Sequence, residues 1–551
     1  MQFDHDKGKP VKKKSQRSIS TAVQLAAMIL LSACQPDMPA EVRSGLVYCL
    51  EGSPESLNPQ LVTSGTTIDA TSRQLFDRLV DIDPEDGRFI PALATHWEIR
   101  SDGLSYTFFL RPDVQFHHTD YFEPSRPLNS TDVRFSFERV MNSEHPFHAV
   151  SGGEYPYFQT VEWHQRVARI TTPTPDQVVF YLRQRDSSFL SNVATDFAVV
   201  HSAEYADQLL KQQQPQRIDS HPIGTGPFKF REYRKDVFLR YYRHAEYWGQ
   251  ASSLEQLVFD IEPNNAKRMA KLLTHECDIT AYPRIAELEL ISKRDDVKVQ
   301  EQTSMNVGFW AFNTQKPPFD QAKVRRALSM AINRDAILQA VYYNHAHTAH
   351  SLLPPTSWGF NPAVMSVPYD PTAARELLAE AGYPFGFSMD IWAMPVQRLY
   401  NPNATRMAEM IQADLAQIGV RVSIVTLEWN AFRRQLRQGE HDSVLLGWNA
   451  DNTDPDNFFR PLLSCSGIDS GTNRAHWCDP AFDAILAQAL LTDDQSIRRH
   501  YYWAAQHYLS EHIPLFPIAH SKRFQALNHQ ISGVSINPYG GISLADARKE
   551  P

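Results

Sequence analysis

The most constraining feature of this sequence is a regular succession of helix and strand patterns after about residue 300. Asp370 and Pro371 form a helix start, a capping acid with proline in the first turn, and Gly382 ends that helix. A second helical pattern ends at Gly419, and residues 420–424 then alternate as a strand does. Because helices here feed strands, we expect an α/β lobe in this part of the chain.

Strand and loop patterns dominate the first part of the chain, up to about residue 200. Aromatic and β-branched side chains are concentrated at 45–50, 107–110 and 178–182, which predicts a strand at each place. The run 129–132 before an apolar segment predicts a capped helix start. The chain has 551 residues, and single hydrophobic cores stop growing at roughly 250–300 residues. We therefore expect a multi-lobed α/β protein.

The first 33 residues have the order of a bacterial secretory signal. Six basic residues oppose two acidic ones, an apolar run follows from 19 to 31, and small residues precede Cys34. The ending Leu-Ser-Ala-Cys resembles a lipobox, in which the cysteine is acylated and becomes the new N-terminus. We expect residues 1–33 to be a signal peptide, Cys34 to carry a lipid and residues 34–39 to form the tether. The alternative is a plain secretory signal in which Cys34 has no role.

Charge and hydropathy limit the partners of the exported chain. The whole chain has a formal net charge of −9, so removal of a signal segment of charge +4 leaves −13. This acidic body argues against nucleic acid or an anionic membrane surface as the main partner. After residue 34 no stretch approaches about 18 uninterrupted apolar residues, so we expect membrane contact only through the lipid.

The four cysteines beyond Cys34 are an even number in an oxidising compartment, and they permit three pairings. Cys465 and Cys478 lie close together in a turn-rich stretch, so their pairing is the simplest interpretation. Pairing of Cys49 with Cys277 then follows by elimination. No two of these cysteines have C-x-x-C spacing, so a zinc site is not favoured.

Motifs of enzymes and metal sites were sought without success. The sequence has no G-x-S-x-G, no G-x-x-x-x-G-K-[ST] and no strand-linked G-x-G-x-x-G. His275 and Glu276 begin an H-E-x-x-H pattern, but Ile279 stands where the second zinc ligand belongs. The histidines His345, His347 and His350 would need convergent geometry to hold a metal, and surface histidines are the simpler interpretation. We expect a binding protein rather than an enzyme, without cofactor or metal.

One strand leads directly into a cluster of acids. An apolar run at 444–446 reaches Gly447 and Trp448 and then a loop that holds Asp451, Asp454 and Asp456. Acids at the end of a buried strand can bind a metal ion or an ammonium group. The spacing fails the pattern of the EF-hand, since Pro455 and two phenylalanines occupy ligand and turn positions.

Several strings of this sequence resemble those of the periplasmic oligopeptide/dipeptide-binding family, solute-binding protein family 5 of ABC importers. The resemblance covers nearly all of the mature chain. It rests on LVYCLEGSPESLNPQLVTSGTT near the start, HPIGTGPFKF at 221–230, NVGFWAFNTQKPPFDQAKVRRALSMAINRDAI at 306–337, YDPTAARELLAEAGY at 369–383 and the segment 387–468, which contains WAMPVQR at 392–398 and GWNADNTDPDNFF at 447–459. The last two are specific to the dipeptide-binding branch.

The resemblance implies an α/β fold of three lobes that closes like a flytrap around its ligand. Lobe I would be discontinuous, formed by residues 40–85, 215–305 and 525–551. Lobe II, 86–214, would be inserted into it, and lobe III would span 306–524. The ligand would lie between lobes I and III, which close by a hinge motion. The closed form would deliver its cargo to an inner-membrane ABC permease, and the protein would be a periplasmic monomer.

The resemblance also assigns roles to single residues. Asp451 would bind the ammonium of a dipeptide, and Arg398 would bind its carboxylate. Extended backbone at Gly65, Thr66 and Thr67, and at Gly447 and Trp448, would bind the peptide unit between them. On the residues alone, Asp451 could equally be a turn residue, Arg398 a surface charge and Trp448 a core aromatic. The branch also agrees with the two cysteine pairs above.

A dipeptide suits such a pair of charges on physical grounds. Its two charges lie on the order of 5–6 Å apart, because successive Cα atoms are about 3.8 Å apart. An acid and a guanidinium at matching separation would reject a tripeptide and a single amino acid. The alternatives are haem, nickel, or longer or antimicrobial peptides on the same scaffold. A secreted peptidase and a periplasmic chaperone are rivals of other classes.

Overall fold

The computed structural model describes residues 45–550. The predicted signal peptide, the lipid on Cys34 and the tether lie outside the described residues. Among the described helices, none combines the length and apolar character that crossing a bilayer requires.

The described strands, in chain order, are β1 (Gly45–Leu50), β2 (Val80–Ile82), β3 (Phe89–Pro91), β4 (Ala94–Ile99), β5 (Ser105–Leu110), β6 (Val167–Thr174), β7 (Gln177–Leu182), β8 (Phe228–Arg234), β9 (Phe238–Arg243), β10 (Gln256–Ile261), β11 (Ile279–Ala281), β12 (Val297–Thr303), β13 (Asn306–Phe312), β14 (Ala346–Thr348), β15 (Ser388–Ala393), β16 (Arg421–Val425), β17 (Ser443–Asn449), β18 (Leu515–Asn528), β19 (Ile531–Ser532), β20 (Ser535–Ile536), β21 (Ile542–Ser543) and β22 (Arg548–Lys549).

The described α-helices are α1 (Gly65–Leu75), α2 (Ser130–Met141), α3 (Pro156–Thr160), α4 (Trp163–Arg166), α5 (Phe189–Val193), α6 (Ala203–Lys211), α7 (Asn265–Leu273), α8 (Leu288–Ile291), α9 (Ala322–Met330), α10 (Arg334–Tyr342), α11 (Pro371–Glu380), α12 (Ala404–Ala416), α13 (Trp429–Arg437), α14 (Asp456–Leu463), α15 (Ser466–Asp469), α16 (Pro480–Leu490) and α17 (Gln495–His512). Short 3₁₀ helices cover Pro59–Leu61, Pro215–Asp219 and Ile285–Glu287.

Strand β18 links the two ends of the largest sheet. The sheet has the order β16-β15-β17-β13-β18-β11-β1-β10-β9-β8, and β12 and β14 also pair with β18. The first part of β18, residues 515–519, pairs with β13, whereas its later part pairs with β11 and β12. A second, antiparallel sheet has the order β4-β5-β7-β6. One continuous strand therefore joins the C-terminal α/β region to the strands at the start of the chain.

The predicted helix and strand starts are confirmed. Asp370 caps α11 by accepting from the backbone N–H groups of Thr372 and Ala373, and Asn129 forms a capping box at α2. The strands predicted at 45–50, 107–110 and 178–182 are β1, β5 and β7. The strand predicted at 444–446 is longer than expected, since β17 runs on through Gly447 and Trp448 to Asn449.

Three large hydrophobic cores lie among the described residues. The first draws on residues from 305 to 519, the second on residues from 68 to 223. The third is assembled from distant parts of the sequence, for example Leu46, Phe259 and Ile542. The exact boundaries of the three predicted lobes stay a prediction.

Both predicted disulfides are confirmed. Cys49 bonds Cys277, which joins β1 to the turn before β11, and Cys465 bonds Cys478 within a short loop. The first bridge ties together segments 228 residues apart, and the second segments 13 residues apart.

Candidate functional site

The candidate site lies where three parallel strands end. β15 runs parallel to both of its neighbours, β16 and β17, so the carboxyl ends of all three meet at one edge of the sheet. Arg398 follows β15, Trp429 follows β16 as the first residue of α13, and Asp451 follows β17. Ligands of open α/β sheets commonly bind at such carboxyl ends. The topology thus brings the two predicted charge-binding residues to the same edge.

Arg398 is partly exposed and lies in a tight turn. Its backbone N–H and C=O exchange two hydrogen bonds of 3.1 Å with Asn401. Its guanidinium carbon lies 5.3 Å from the centre of the Trp429 ring, a cation–π contact that orients the side chain. Within residues 45–550 no carboxylate forms an ion pair with this guanidinium. Its charge is therefore available to an anionic group.

Gly447 and Trp448 present a strand edge that is paired on one side. β17 pairs with β13 as far as Asn449, but its pairing with β15 ends at Leu445. The Tyr400 ring covers Gly447 so closely that a Cβ there would lie 2.2 Å from the Tyr400 Cδ2. Only glycine allows this approach. The strand end therefore lies close beneath Tyr400, and on the side where the β15 pairing has ended its backbone can bind a partner.

Asp451 is held by Asn457, in the first turn of α14. The Asn457 Oδ1 accepts from the Asp451 backbone N–H at 2.9 Å, and its Nδ2 donates to the Asp451 carboxylate at 3.2 Å. The Trp448 indole also donates to the Asn457 Oδ1, at 3.2 Å. No Lys, Arg or His forms an ion pair with Asp451 among the described residues. The sequence had not singled out Asn457, because only the folded loop shows which residues it joins.

The acidity of Asp451 is strongly perturbed. Burial raises the pKa of Asp451 to about 7, the hydrogen bond from Asn457 opposes this rise, and the carboxylate of Asp196 adds to it. A carboxylate that lacks a cation in such surroundings gains much from an ammonium group placed beside it. Asp196 itself accepts from the N–H of Gly541 at 2.6 Å and pairs with Arg73 and Arg78.

The conformation expected at Gly65, Thr66 and Thr67 is wrong. These residues form the first turn of α1 rather than an extended loop, and the first intrahelical bond runs from the Ile68 N–H to the Ser64 carbonyl. The extended backbone ends one residue earlier, at the N-cap Ser64, and the Tyr241 hydroxyl donates to the Ala70 carbonyl within the helix at 2.9 Å. The first N–H groups of a helix have no partner within it, so this turn still offers donors.

A chain of neighbours connects the α1 start to Arg398. A Cβ on Gly65 would lie 3.8 Å from the Tyr282 hydroxyl. Burial raises the pKa of Tyr282, while the charges of Arg523 and Arg398 lower it. Arg398 lowers the pKa of Tyr400 in the same way, against the burial that raises it. Gly65 and Arg398 therefore both neighbour Tyr282, and their contact with a ligand stays a prediction.

The histidines suspected of metal binding do not converge. His345 lies against the Phe524 ring at 5.2 Å, whereas His347 and His350 are exposed. In the described part of the chain, one group has metal-ligating atoms close together, Cys49, Asp260 and Cys277. Its two sulfur atoms are bonded to each other in a disulfide, so it is not a metal site.

Comparison with known proteins places the chain in a family. The profile of the bacterial extracellular solute-binding proteins, family 5, matches residues 88–470. The dipeptide-binding protein of Escherichia coli (strain K12) is 42% identical over 527 residues, 96% of this chain and 97% of that protein.

Solved structures agree with this assignment. The dipeptide binding protein from Pseudoalteromonas sp. SM9913, in complex with Met-Leu, has a TM-score of 0.87 and 52% identity, over 92% of this chain and all of that one. The ABC transporter-associated periplasmic binding protein from Helicobacter pylori, in complex with the peptide STSA, has a TM-score of 0.82 and 32% identity, over 91% and 98%. The predicted fold class, the α/β fold of periplasmic oligopeptide- and dipeptide-binding proteins, is confirmed. The chain belongs to the bacterial extracellular solute-binding proteins of family 5.

Proposed function

We propose that this protein captures dipeptides outside the cytoplasm and delivers them to an ABC permease of the inner membrane. One observation carries the proposal: a carboxylate and a guanidinium, neither with an ion-pair partner in residues 45–550, follow adjacent parallel strands. Asp451 binds the ligand's ammonium and Arg398 its carboxylate. The relatives bound to Met-Leu and to STSA support a peptide as the ligand.

The backbone between the two charges binds the peptide unit. Gly447 and Trp448 supply the extended edge of β17 on one side, and the first turn of α1 supplies N–H groups from Gly65 to Thr67 on the other. Strand edges and helix N-termini recognise main-chain groups and negative charge without regard to side chains. This division of contacts suits a protein that must accept many different dipeptides.

Closure around the ligand removes Asp451 and Arg398 from water and so strengthens their interaction with the ligand's charges. An exposed ion pair would contribute only about 0–1 kcal/mol, whereas the same pair removed from water binds much more tightly. We place the hinge in β18, which runs from the strands of lobe III (306–524) into those of lobe I (40–85, 215–305 and 525–551). Lobe II is the inserted segment 86–214. The ligand shifts the balance toward the closed form because it contacts both sides only there.

The signal-like N-terminus and the family support a location outside the cytoplasm. The protein is periplasmic, with residues 1–33 removed and a lipid on Cys34 as its membrane anchor, and it acts as a monomer. Mass spectrometry of the N-terminal peptide of the mature protein tests the anchor. A diacylglycerol mass on a peptide that begins at Cys34 supports it, and an unmodified N-terminus contradicts it.

Isothermal titration with matched ligands tests the charge clamp. Alanyl-alanine is compared with its N-acetyl derivative, its C-terminal amide and trialanine. We expect each blocked end to weaken binding at least roughly 30-fold, because truncating one partner of a buried charge pair costs about 2–5 kcal/mol. Equal affinity for the dipeptide and its blocked forms would contradict the clamp, and tighter binding of trialanine would indicate longer peptides.

Variants then assign each charge to its end of the ligand. Asp451→Asn should abolish the preference for a free ammonium, and Arg398→Gln the preference for a free carboxylate. Asp295→Asn and Arg406→Gln, at exposed positions, serve as matched controls. If the Asp451 variant keeps the full preference for the free amine, another group binds the ammonium.

A further inference from the structure

A second cavity lies in the C-terminal region, away from the strand ends. It is open to solvent on one side and has a volume of about 310 Å³ between the end of α17, the start of β18 and the segment 364–368. This volume falls in the range of sites for small organic ligands, about 300–1,000 Å³. Its apolar walls include Leu352, Val364, Leu509, Ile513 and Phe516. It has no lining residue in common with the proposed dipeptide site.

Two arginines line this cavity, together with apolar residues and a few uncharged polar ones. Arg334 donates to the carbonyls of Ala349 and Pro517 and to the Ser366 hydroxyl, at 2.6, 3.3 and 2.7 Å. Its guanidinium carbon lies 4.9 Å from the centre of the Phe516 ring. These neutral partners satisfy its hydrogen bonds but do not cancel its charge. Among the described residues no carboxylate forms an ion pair with Arg334.

Arg326 adds a second positive charge to the same wall. It donates one hydrogen bond of 2.8 Å to the carbonyl of Ser510, in the last turn of α17. This contact is a common way to satisfy the end of a helix, but it uses one donor out of five. The remaining donors have no carboxylate partner in the part of the chain that the structure describes.

Other titratable groups do not neutralise the two arginines. Glu511 also lines the cavity, but it is exposed and lies 3.5 Å from the Nε2 of His507. Partial desolvation lowers the pKa of the lining residue His350, and the charge of Arg334 lowers it further; a histidine supplies no negative charge to pair with the arginines. The cavity thus combines apolar walls with a net positive charge, since two half-buried arginines and one exposed glutamate line it.

We propose that this cavity is a second ligand site, which takes a small amphipathic carboxylate with an aliphatic chain. The chain contacts the apolar walls, and the carboxylate accepts hydrogen bonds from the free donors of Arg326 and is attracted by the charge of Arg334. Guanidinium groups suit carboxylates because their planar donors match both oxygens. The site does not depend on the proposed dipeptide function.

Titration of the purified full chain with n-octanoate and with 1-octanol tests the site. We expect saturable one-to-one binding of octanoate and at least about tenfold weaker binding of the alcohol, the size of one charge-assisted hydrogen bond. Saturating alanyl-alanine should leave octanoate binding unchanged. Absence of saturable binding, equal affinity for the alcohol, or displacement by the dipeptide would each overturn the proposal.

Two variants localise the binding. Arg326→Gln should weaken octanoate binding about tenfold. Arg375→Gln is the matched control, since Arg375 also donates to a carbonyl at a helix end, that of Gln417, but does not line the cavity. Leu509→Trp should block binding by filling the cavity, and it leaves both arginines in place. Full octanoate affinity in a folded Leu509→Trp protein would overturn the assignment.

Discussion

The affinity for dipeptides should depend steeply on pH, because the empty protein holds Asp451 with a pKa of about 7. The ammonium of a dipeptide favours the ionised carboxylate, so protonation of Asp451 competes with binding. Affinity therefore falls as pH decreases below 7. It also falls as pH rises above about 8, because the α-amino group of the ligand then loses its proton near 7.7–8.0.

The magnitude follows from the fraction of ionised carboxylate. With a pKa of about 7, roughly 3% of Asp451 is ionised at pH 5.5 and roughly three quarters at pH 7.5. After allowance for the ligand's own amine, the dissociation constant should be roughly 20-fold larger at pH 5.5 than at pH 7.5. Isothermal titration with alanyl-alanine at steps of half a pH unit measures this change in the dissociation constant.

A matched variant separates Asp451 from other titrating groups. Another acid, Asp69, could also titrate in this pH range, because burial raises the pKa of Asp69 to about 6, although Arg523 opposes the rise. Asp451→Asn should bind weakly and lose most of the decrease between pH 7.5 and 5.5. An affinity that is constant over this range, or an Asn variant with an unchanged slope, would refute the role given to Asp451.

Three further changes test the supports of the site. Gly447→Ala should weaken dipeptide binding at least about tenfold, because the new Cβ would lie 2.2 Å from the Tyr400 ring. The control Gly52→Ala has open space around it and should have no effect in the same titration. Asn457→Ala should weaken dipeptide binding about tenfold and shift the midpoint of the pH dependence upward, because the hydrogen bond from Asn457 lowers the pKa of Asp451. An unchanged midpoint would show that this bond is unimportant. Cys465→Ser should lower the free energy of unfolding by about 3 kcal/mol in urea, and no change would mean that the loop needs no crosslink.

Local signals predicted the elements, and topology could have predicted more of the site. Caps, glycines and alternation placed α11, α12 and β16, and an apolar run placed the middle of β17, because each depends on neighbours in sequence. Arg398 and Asp451 were assigned through a resemblance, yet two parallel strands that end before them would have suggested the same edge. The helical start at Gly65 was mistaken for an extended loop, because Gly, Ser and Thr suit both a loop and a helix N-terminus.

The supporting residues could not be predicted, because their contacts are made only by folding. Tyr400 covers a glycine 47 residues further along, and Tyr282 reaches Gly65 from a distant segment. Asn457 lies six residues from Asp451, but its two-way contact depends on the turn between them and on the first turn of α14. No periodicity in the sequence reports such contacts.

If Asp451 binds the ligand's ammonium as proposed, its raised pKa would link recognition to closure. An acid whose folded pKa exceeds its unfolded value of about 3.9 makes the empty fold less stable as pH rises from about 4 to 7. A bound ammonium would remove this cost. In the proposed site, one short ligand reaches Asp451, Arg398 and the α1 start together only when the two sides of the site approach each other. A ligand without the ammonium would leave the buried charge uncompensated and would favour the open form. In the proposed function, the same carboxylate would therefore select the ligand and make closure depend on it.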